Sequence, residues 1–282
     1  MPTLYVSDLD GTLLNSNVAL SKYSQRSLEE MIERGLNFTV ATGRCMDAVR
    51  KLLYPLELRL PIIELNGCLV TDFISGEHLC VNGLLEEHIA RLLEDFRRFH
   101  LAPFMAACPE GRDALYYSDL RNLAMEWYAA EKVTSRDPRL VHLTQFGDYF
   151  RSETVLGFVL LDRREVLAAF VDHLLEQYGS LLDLTLFEHP YLPGWWELSV
   201  QSPGISKGSA VDQLLSLVNL NDARVVAFGD GMNDAALFKR AHHALAVRNA
   251  DPLLLNLAHE IIATNDEDGV VGYLLKNFTG GQ

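Results

Sequence analysis

The segment that most constrains this chain is residues 5–14, where an apolar, strand-like stretch runs directly into two carboxylates. It reads Tyr-Val-Ser-Asp-Leu-Asp-Gly-Thr-Leu-Leu, with the acids at Asp8 and Asp10. Apolar residues followed by Asp-Gly predict a buried strand that ends in a turn. In α/β sheets, ligands bind at the carboxyl ends of the strands, so two acids placed there suggest a site. The alternative is an ordinary loop, because Asp-Gly is common in turns.

Composition limits the classes of protein to consider. The chain has 282 residues, of which 49% are hydrophobic and 22% charged, which is enough for two folded cores. Its net charge is −14 and it contains no Lys/Arg-rich run, so we expect no nucleic-acid partner. A phosphorylated substrate would need cations at the site itself, from Lys, Arg or a metal.

Cysteine usage and hydropathy bear on the compartment. The four cysteines form no CxxC pair, which is typical of free thiols in a reducing compartment. The chain reaches its first predicted strand within four residues, and no apolar run approaches the roughly 18 residues of a membrane span. We therefore predict a cytoplasmic protein with no membrane partner.

The order of predicted elements indicates two domains. A helix carrying Leu28, Met31 and Ile32, with Ser24 as its predicted N-cap, lies between two apolar strands and predicts a parallel sheet. From about residue 84 the pattern changes to mixed strands and helices, and Pro and Gly residues near 190–194 mark the return. We predict a core in two parts, 1–83 and 191–282, with an α+β insert over 84–190. A strand at 196–200 falls in the second part of the core.

Polar residues follow three of the predicted core strands, and parallel strands open on one edge of a sheet. These residues are Asp8 with Asp10, Thr42, and Asp230 with Asn233 and Asp234. Four carboxylates would repel one another by about 4 kcal/mol per pair at about 4 Å, so a divalent cation is expected to neutralise them. Because all the candidate ligands are oxygens, Mg²⁺ is favoured over zinc.

Lys207, at the start of a predicted helix, adds a positive charge to this edge, and the Thr42 hydroxyl adds a hydrogen-bond donor. Together these groups suit phosphoryl transfer, in which one Asp acts as the nucleophile and another acid handles the proton. The simpler alternative is that Thr42 only caps a helix and that Arg44 is a surface charge.

These motifs resemble those of haloacid dehalogenase superfamily phosphatases, in particular Cof-like hydrolases and sucrose-phosphate phosphatases with a type C2B cap. The DxDGT motif corresponds to residues 8–12, the motif II threonine to Thr42, the motif III lysine to Lys207, and GDxxND to residues 229–234. The motifs occur in the family's order, and the resemblance covers nearly the whole chain. One departure is Arg248, where relatives often carry a small residue, and it leaves the neighbourhood of Asn249 open.

The resemblance implies a Rossmann-like parallel-sheet α/β core with an inserted α+β cap, and a Mg²⁺-dependent phosphatase that acts on a small phosphorylated metabolite such as a sugar phosphate. Asp8 would be the nucleophile, passing through a phosphoaspartate, and Asp10 the general acid/base. The implied phosphate-binding residues are Thr42, Gly43, Lys207 and Asn233. The implied metal ligands are Asp8, Asp10 through its backbone carbonyl, and Asp230, with Asp234 supporting them.

Other functions remain open at this point. A sugar phosphomutase would use the same intermediate, and a non-enzymatic metal-binding scaffold would need the same acids. Residues 204–208 also fit G-x-S-x-G, which would make Ser206 the nucleophile of an acyl hydrolase, with His259 downstream. We expect a monomer or a small homo-oligomer.

Overall fold

The computed structural model describes residues 1–144, 146, 154–189 and 191–280. The chain forms two compact units. The core unit comprises Met1–Cys80 and Ser206–Gln282, and the insert unit comprises Val81–Ile205. Each unit has its own hydrophobic core.

A five-stranded parallel sheet organises the core unit. Its strands are β1 (Thr3–Ser7), β2 (Asn37–Val40), β12 (Arg224–Gly229), β13 (His243–Val247) and β14 (Glu260–Ile262). Their spatial order is β14-β13-β12-β1-β2. Tyr5 of β1 is in register with Val226 on one side and Phe38 on the other. Strand β1, with the acids at its carboxyl end, is therefore flanked by β12 and β2, the two strands that carry the other predicted motifs.

Helices complete the core unit. They are α1 (Lys22–Glu33), α2 (Met46–Leu53), α6 (Lys207–Leu217), α7 (Ala235–Arg240), α8 (Pro252–Leu255) and α9 (Gly269–Asn277). Leu28, Met31 and Ile32 of α1 are buried at helical spacing, as predicted. The N-cap of α1 is Ser21, whose side chain accepts from the Ser24 backbone N–H, and not Ser24 itself.

A small three-stranded sheet extends the core unit beyond α2. It consists of β3 (Ile62–Glu64), β4 (Leu69–Thr71) and β5 (His78–Val81), in that order. Strand β3 pairs antiparallel with β4. Ala41, just after β2, forms a parallel bridge with Ile63 and so links this small sheet to the large one.

The insert unit is an α+β domain with a six-stranded sheet. Its helices are α3 (Glu86–Arg98), α4 (Leu123–Thr134) and α5 (Arg164–Tyr178). Its strands are β6 (Phe104–Cys108), β7 (Ala114–Tyr117), β8 (Leu140–His142), β9 (Thr154–Asp162), β10 (Asp183–Glu188) and β11 (Trp196–Gln201). Their order is β10-β11-β9-β6-β7-β8. The predicted α/β core with an α+β insert is confirmed.

The predicted return to the core at residue 191 was wrong. Strand β11 pairs antiparallel with both β10 and β9, so it is an internal strand of the insert sheet. Its inward-facing Leu198 and Val200 are fully buried in the insert core. The chain re-enters the core unit at Ser206, and it leaves it after Cys80, close to the predicted position.

Within the part of the chain that the structure describes, no helix has both the length and the apolar character needed to cross a membrane.

Candidate active site

The predicted site residues of the core unit emerge at one edge of the parallel sheet. Asp8 follows β1, and its backbone N–H donates to Phe228 O of the neighbouring β12 at 3.0 Å. Asp230 comes directly after β12. On the other side, Ala41 N donates to Ser7 O at 2.9 Å, which places Thr42 beside Asp8. The sheet topology therefore groups the three motifs as predicted.

The turn after β1 packs closely against the Asp230 side chain. Gly11 has φ +74°, and a Cβ at this position would clash with the Asp230 carboxylate. Thr12 Oγ1 donates to Asp230 Oδ1 at 2.9 Å. The Gly-Thr of the motif therefore closes the turn against this acid and orients it.

Lys207 lies at the centre of the acidic cluster. Its side chain is fully buried, and its Nζ donates to Asp8 Oδ1 at 2.5 Å and to Asp234 Oδ1 at 2.7 Å. Lys207 is the first residue of α6, which is held by the N-cap Ser206 and by Gly208 packed against the backbone of Ala236. This packing fixes the position of the ammonium group.

Asp234 is also fully buried and serves two purposes. Its Oδ1 accepts from Lys207, while its Oδ2 accepts from the backbone N–H groups of Asp230 and Gly231 at 3.0 and 3.1 Å. Asp234 therefore shapes the loop that presents Asp230.

Three carboxylates form a cluster that fits a hard cation. Ligand atoms of Asp8, Asp230 and Asp234 all lie within 4.8 Å of one another. Burial, and then the neighbouring Asp234, raise the pKa of Asp230 to about 6. Burial also raises the pKa of Asp8 well above its usual range, against the lowering effect of Lys207. The single positive charge of Lys207 does not balance the three carboxylates. A divalent cation stabilises oxygen donors in such an environment.

The lysine is a cation in this setting. Burial alone would lower the pKa of Lys207, but the carboxylates of Asp234 and Asp8 outweigh burial and raise it. Removing this ammonium group would leave its carboxylate neighbours without a counter-charge.

The Asp10 carboxylate was predicted to converge with those of Asp8, Asp230 and Asp234, but it pairs with Arg44 instead. Asp10 Oδ1 and Oδ2 accept hydrogen bonds from Arg44, each at 2.6 Å. The simpler alternative, in which Arg44 is only a surface charge, was therefore wrong. An arginine two residues after Thr42, in a strongly acidic site, was the signal that could have identified this pair.

Thr42 and Gly43 lie on a short loop between β2 and α2. Thr42 is buried, and its Oγ1 accepts from the Arg44 backbone N–H at 3.1 Å, while the N-cap of α2 is Cys45. Thr42 is therefore not the helix cap that the simpler alternative required. Gly43 is exposed and faces the side-chain amide of Asn66.

Asn233 faces the same amide from the opposite loop. Its Nδ2 donates to Asn66 Oδ1 at 3.3 Å. Asn66 is not among the predicted site residues, so its position at the site is new. Asn249 also supports the site, because its Nδ2 donates to Gly11 O at 2.8 Å and its Oδ1 accepts from Asn265 N at 3.0 Å. Arg248 points elsewhere, to Glu267 at 3.8 Å.

The residues of the acyl hydrolase alternative have different partners. Ser206 Oγ accepts from Ser209 N at 3.1 Å as the cap of α6. His259 Nδ1 accepts from Ala244 N at 3.0 Å within the sheet region. The structure gives both residues structural roles.

Comparison with known proteins identifies the family. The sequence model of haloacid dehalogenase-like hydrolases matches residues 5–274. The chain is 26% identical over 284 residues to a phosphatase of Bacillus subtilis, covering 95% of this chain and 96% of the relative. It is 25% identical over 267 residues to the 5-amino-6-(5-phospho-D-ribitylamino)uracil phosphatase YcsE of the same organism, covering 95% and 92%.

A solved structure shows the same fold. A haloacid dehalogenase-like hydrolase from Bacteroides thetaiotaomicron superposes with a TM-score of 0.78 at 24% identity, covering 99% of this chain and 100% of that one. The predicted family and the predicted phosphatase class are confirmed, while the chemical roles of the individual site residues stay predictions. The chain belongs to the haloacid dehalogenase-like hydrolases.

Proposed function

We propose that the protein is a Mg²⁺-dependent phosphatase that hydrolyses a small phosphate monoester through a phosphoaspartate on Asp8. The observation that carries this proposal is the buried Lys207, bonded to both Asp8 and Asp234, beside Asp230. Burying charged side chains costs desolvation free energy that their pairing often does not repay. A buried cluster of this kind therefore indicates a functional site.

Each residue of the site has a separate role in the proposed reaction. Lys207 holds Asp8 Oδ1, which leaves the other oxygen to attack phosphorus. As the new bond forms, the bond from phosphorus to the ester oxygen breaks, and that oxygen takes a proton from Asp10. Water then attacks the phosphoaspartate and gives a proton back to Asp10, which releases phosphate and restores Asp8. Each Asp10 oxygen has a further lone pair, so the carboxyl group can carry this proton while Arg44 stays hydrogen-bonded to it.

The phosphoryl group would be held by Lys207, the Thr42 hydroxyl, the Gly43 backbone and Asn233. Mg²⁺ would be held by Asp8, Asp230 and the Asp10 carbonyl, with Asp234 bracing the Asp230 loop, and it would supply positive charge to offset that of the carboxylates and the phosphate. The three-carboxylate cluster and the raised pKa values of Asp8 and Asp230 support this assignment.

The substrate class follows from the relatives. Two Bacillus subtilis relatives are named for a phosphoribitylaminouracil substrate. We infer a phosphorylated metabolite of similar size, such as a sugar phosphate or a sugar-alcohol phosphate. A cytoplasmic location is part of the proposal, and it is supported by the four cysteines, none of which forms a disulfide.

A panel of phosphate esters tests the proposal. The purified chain is assayed for release of inorganic phosphate with Mg²⁺, with EDTA, and as the Asp8→Asn variant. Asp47→Asn serves as the matched control, since Asp47 lies on α2 and pairs only with Lys51 among the contacts described. We expect turnover that EDTA and Asp8→Asn abolish and Asp47→Asn preserves.

Three results would contradict the proposal. Turnover that survives EDTA would contradict the metal requirement, and turnover that survives in Asp8→Asn would contradict the nucleophile. A phosphorylated isomer in place of free phosphate would indicate a phosphomutase.

A further inference from the structure

The loop between β3 and β4 has an unusual backbone. Leu65, Asn66 and Gly67 are three consecutive residues with positive φ, at 50°, 55° and 106°. This left-handed region is unfavourable for residues with a side chain, and least so for Asn. Strain of this kind persists only where the surroundings impose it, and it is concentrated at functional sites.

The surroundings that fix this loop are the other loops of the site. Leu65 N donates to Arg44 O at 3.2 Å, and Asn66 N donates to Thr42 O at 2.9 Å. A Cβ at Gly67 would clash with the backbone carbonyl of Ser206, so only glycine fits there. The loop is therefore held between the Thr42 segment and the start of α6.

A buried acid anchors the loop from behind. Glu64 is fully buried, and its Oε2 accepts from the Met46 backbone N–H at 2.5 Å while its Oε1 accepts from the Thr71 hydroxyl. Because Met46 begins α2, Glu64 ties the loop to the helix that follows Thr42 and Gly43. The position of the loop relative to these residues is thus tightly defined.

The Asn66 side chain points into the site. Its Oδ1 accepts from Asn233 Nδ2, and its Nδ2 lies 3.3 Å from the place that a Cβ on Gly43 would occupy. Across residues 1–144, 146, 154–189 and 191–280, the only side-chain hydrogen bond found for Asn66 is this one from Asn233. Its NH₂ group is therefore an available donor above the Gly43 backbone.

We propose that Asn66 is a further phosphate-binding residue, whose NH₂ donates to a phosphoryl oxygen above Gly43 while its carbonyl oxygen positions Asn233. This inference rests on the proposed function and adds to it. A neutral amide suits the position, because it contributes donors to a phosphate without adding charge to the buried ion cluster.

The competing explanation is conformational: Asn would be present only because it tolerates a left-handed backbone. Two substitutions separate the explanations. Asn66→Gly keeps the backbone conformation accessible and removes the amide. Asn66→Asp has the same shape and keeps an oxygen for Asn233, but it replaces the NH₂ donor with an anionic oxygen.

The test measures binding of inorganic phosphate to the full chain with Mg²⁺ by titration calorimetry, with thermal unfolding measured alongside. We expect the Kd to rise about 10- to 100-fold in Asn66→Gly, the effect of one hydrogen bond to a charged group, and to rise further in Asn66→Asp. Asn219→Gly is the matched control, because Asn219 also has a left-handed φ of 56° but is exposed beyond the far end of α6. It should bind phosphate like the wild type.

The outcomes separate this inference from the function on which it rests. If the wild type binds phosphate and Asn66→Gly binds it equally well, the inference is overturned and the phosphatase proposal stands. Binding retained in Asn66→Asp alone would show that Asn66 acts only through Asn233 and would also overturn it. If Asn66→Gly does not fold, the same-shape Asn66→Asp variant decides. A wild-type chain that does not bind phosphate overturns both proposals.

Discussion

Arg44 donates two hydrogen bonds to the Asp10 carboxylate, from Nε to Oδ2 and from Nη2 to Oδ1, each at 2.6 Å. The pair joins the turn after β1 to the loop after β2. Both side chains are partly exposed, at 31% and 43%, so the pair adds little to stability. Its consequence is geometric, because a planar guanidinium bonded at both oxygens fixes the orientation of the carboxylate.

We predict that Arg44→Gln lowers kcat about 10-fold or more on alkyl phosphates, because a misoriented Asp10 cannot deliver a proton to the leaving oxygen. The loss should be much smaller on p-nitrophenyl phosphate, whose leaving group departs without a proton, and KM should change little. Arg44→Lys keeps the charge but not the planar fork, so we expect only partial recovery.

Steady-state kinetics on both esters checks the Arg44 prediction. Arg26→Gln is the control, since Arg26 is exposed on α1. An equal loss on both esters would show that Arg44 does not act through the leaving-group proton.

Removal of the buried ammonium group should destabilise the core unit. Lys207→Met leaves Asp8 and Asp234 without their counter-charge, and we predict a decrease of about 3–5 kcal/mol in the free energy of unfolding. Adding Asp234→Asn to Lys207→Met should recover part of this loss, because one unpaired charge is then removed.

Guanidinium denaturation followed by far-UV circular dichroism measures the Lys207 effect. All three tryptophans, Trp127, Trp195 and Trp196, lie in the insert unit, so their fluorescence reports on that unit separately. Lys239→Met is the matched control, because Lys239 is exposed on α7. A decrease below about 1 kcal/mol would contradict the role of Lys207 as the buried counter-ion.

The sequence was sufficient to group the main site residues, because strand ends in a parallel sheet share an edge. Apolar strands leading into Asp8, Thr42 and Asp230 therefore located the site without any knowledge of distances. The same reasoning could not assign Arg44 or Asn66. Their roles depend on where a long side chain reaches and on a loop conformation, and Asn-Gly reads equally well as an ordinary hairpin turn.

The domain boundary was misplaced for a related reason. Alternation of Leu198 and Val200 with polar residues predicts a strand but not the sheet to which it belongs. The Pro and Gly residues before β11 suggested a domain boundary, whereas the structure has Pro193 and Gly194 in the connection between β10 and β11, two neighbouring strands of the insert sheet. Ser21 and Ser24 are similarly indistinguishable as helix caps until the backbone is known.

Metal binding should stabilise the core unit. We predict that Mg²⁺ raises the thermal unfolding temperature, with a gain of about 2.7 kcal/mol when the ion is at about 100 times its Kd, and that EDTA reverses the gain. Asp230→Asn should remove this response.

Without metal at pH 7, Asp230→Asn should unfold at a higher temperature than the wild type. The pKa of Asp230 is raised to about 6, so the charge of this buried carboxylate opposes folding at pH 7.

Differential scanning calorimetry with and without Mg²⁺ checks the metal prediction. Asp222→Asn is the control, because Asp222 is exposed and precedes β12 at the other end of the strand from Asp230. A full Mg²⁺ response in Asp230→Asn would exclude Asp230 as a ligand.

The insert unit should become less stable as pH rises, because of Glu197 on β11. Burial raises the pKa of this carboxyl from 4.5 to about 7, although the positive charge of Lys132 partly opposes the shift. Between these two pH values the folded unit keeps a proton that the unfolded chain releases, so stability falls as pH rises through this window. Glu197→Gln should remove this pH dependence. It should add roughly 3 kcal/mol to the free energy of unfolding at pH 8, but little at pH 4.5.

Urea unfolding followed by tryptophan fluorescence at both pH values measures the effect of Glu197→Gln, with Glu176→Gln as the control because Glu176 is exposed. A gain that is the same at both pH values would show that packing, and not the buried charge, separates the variants.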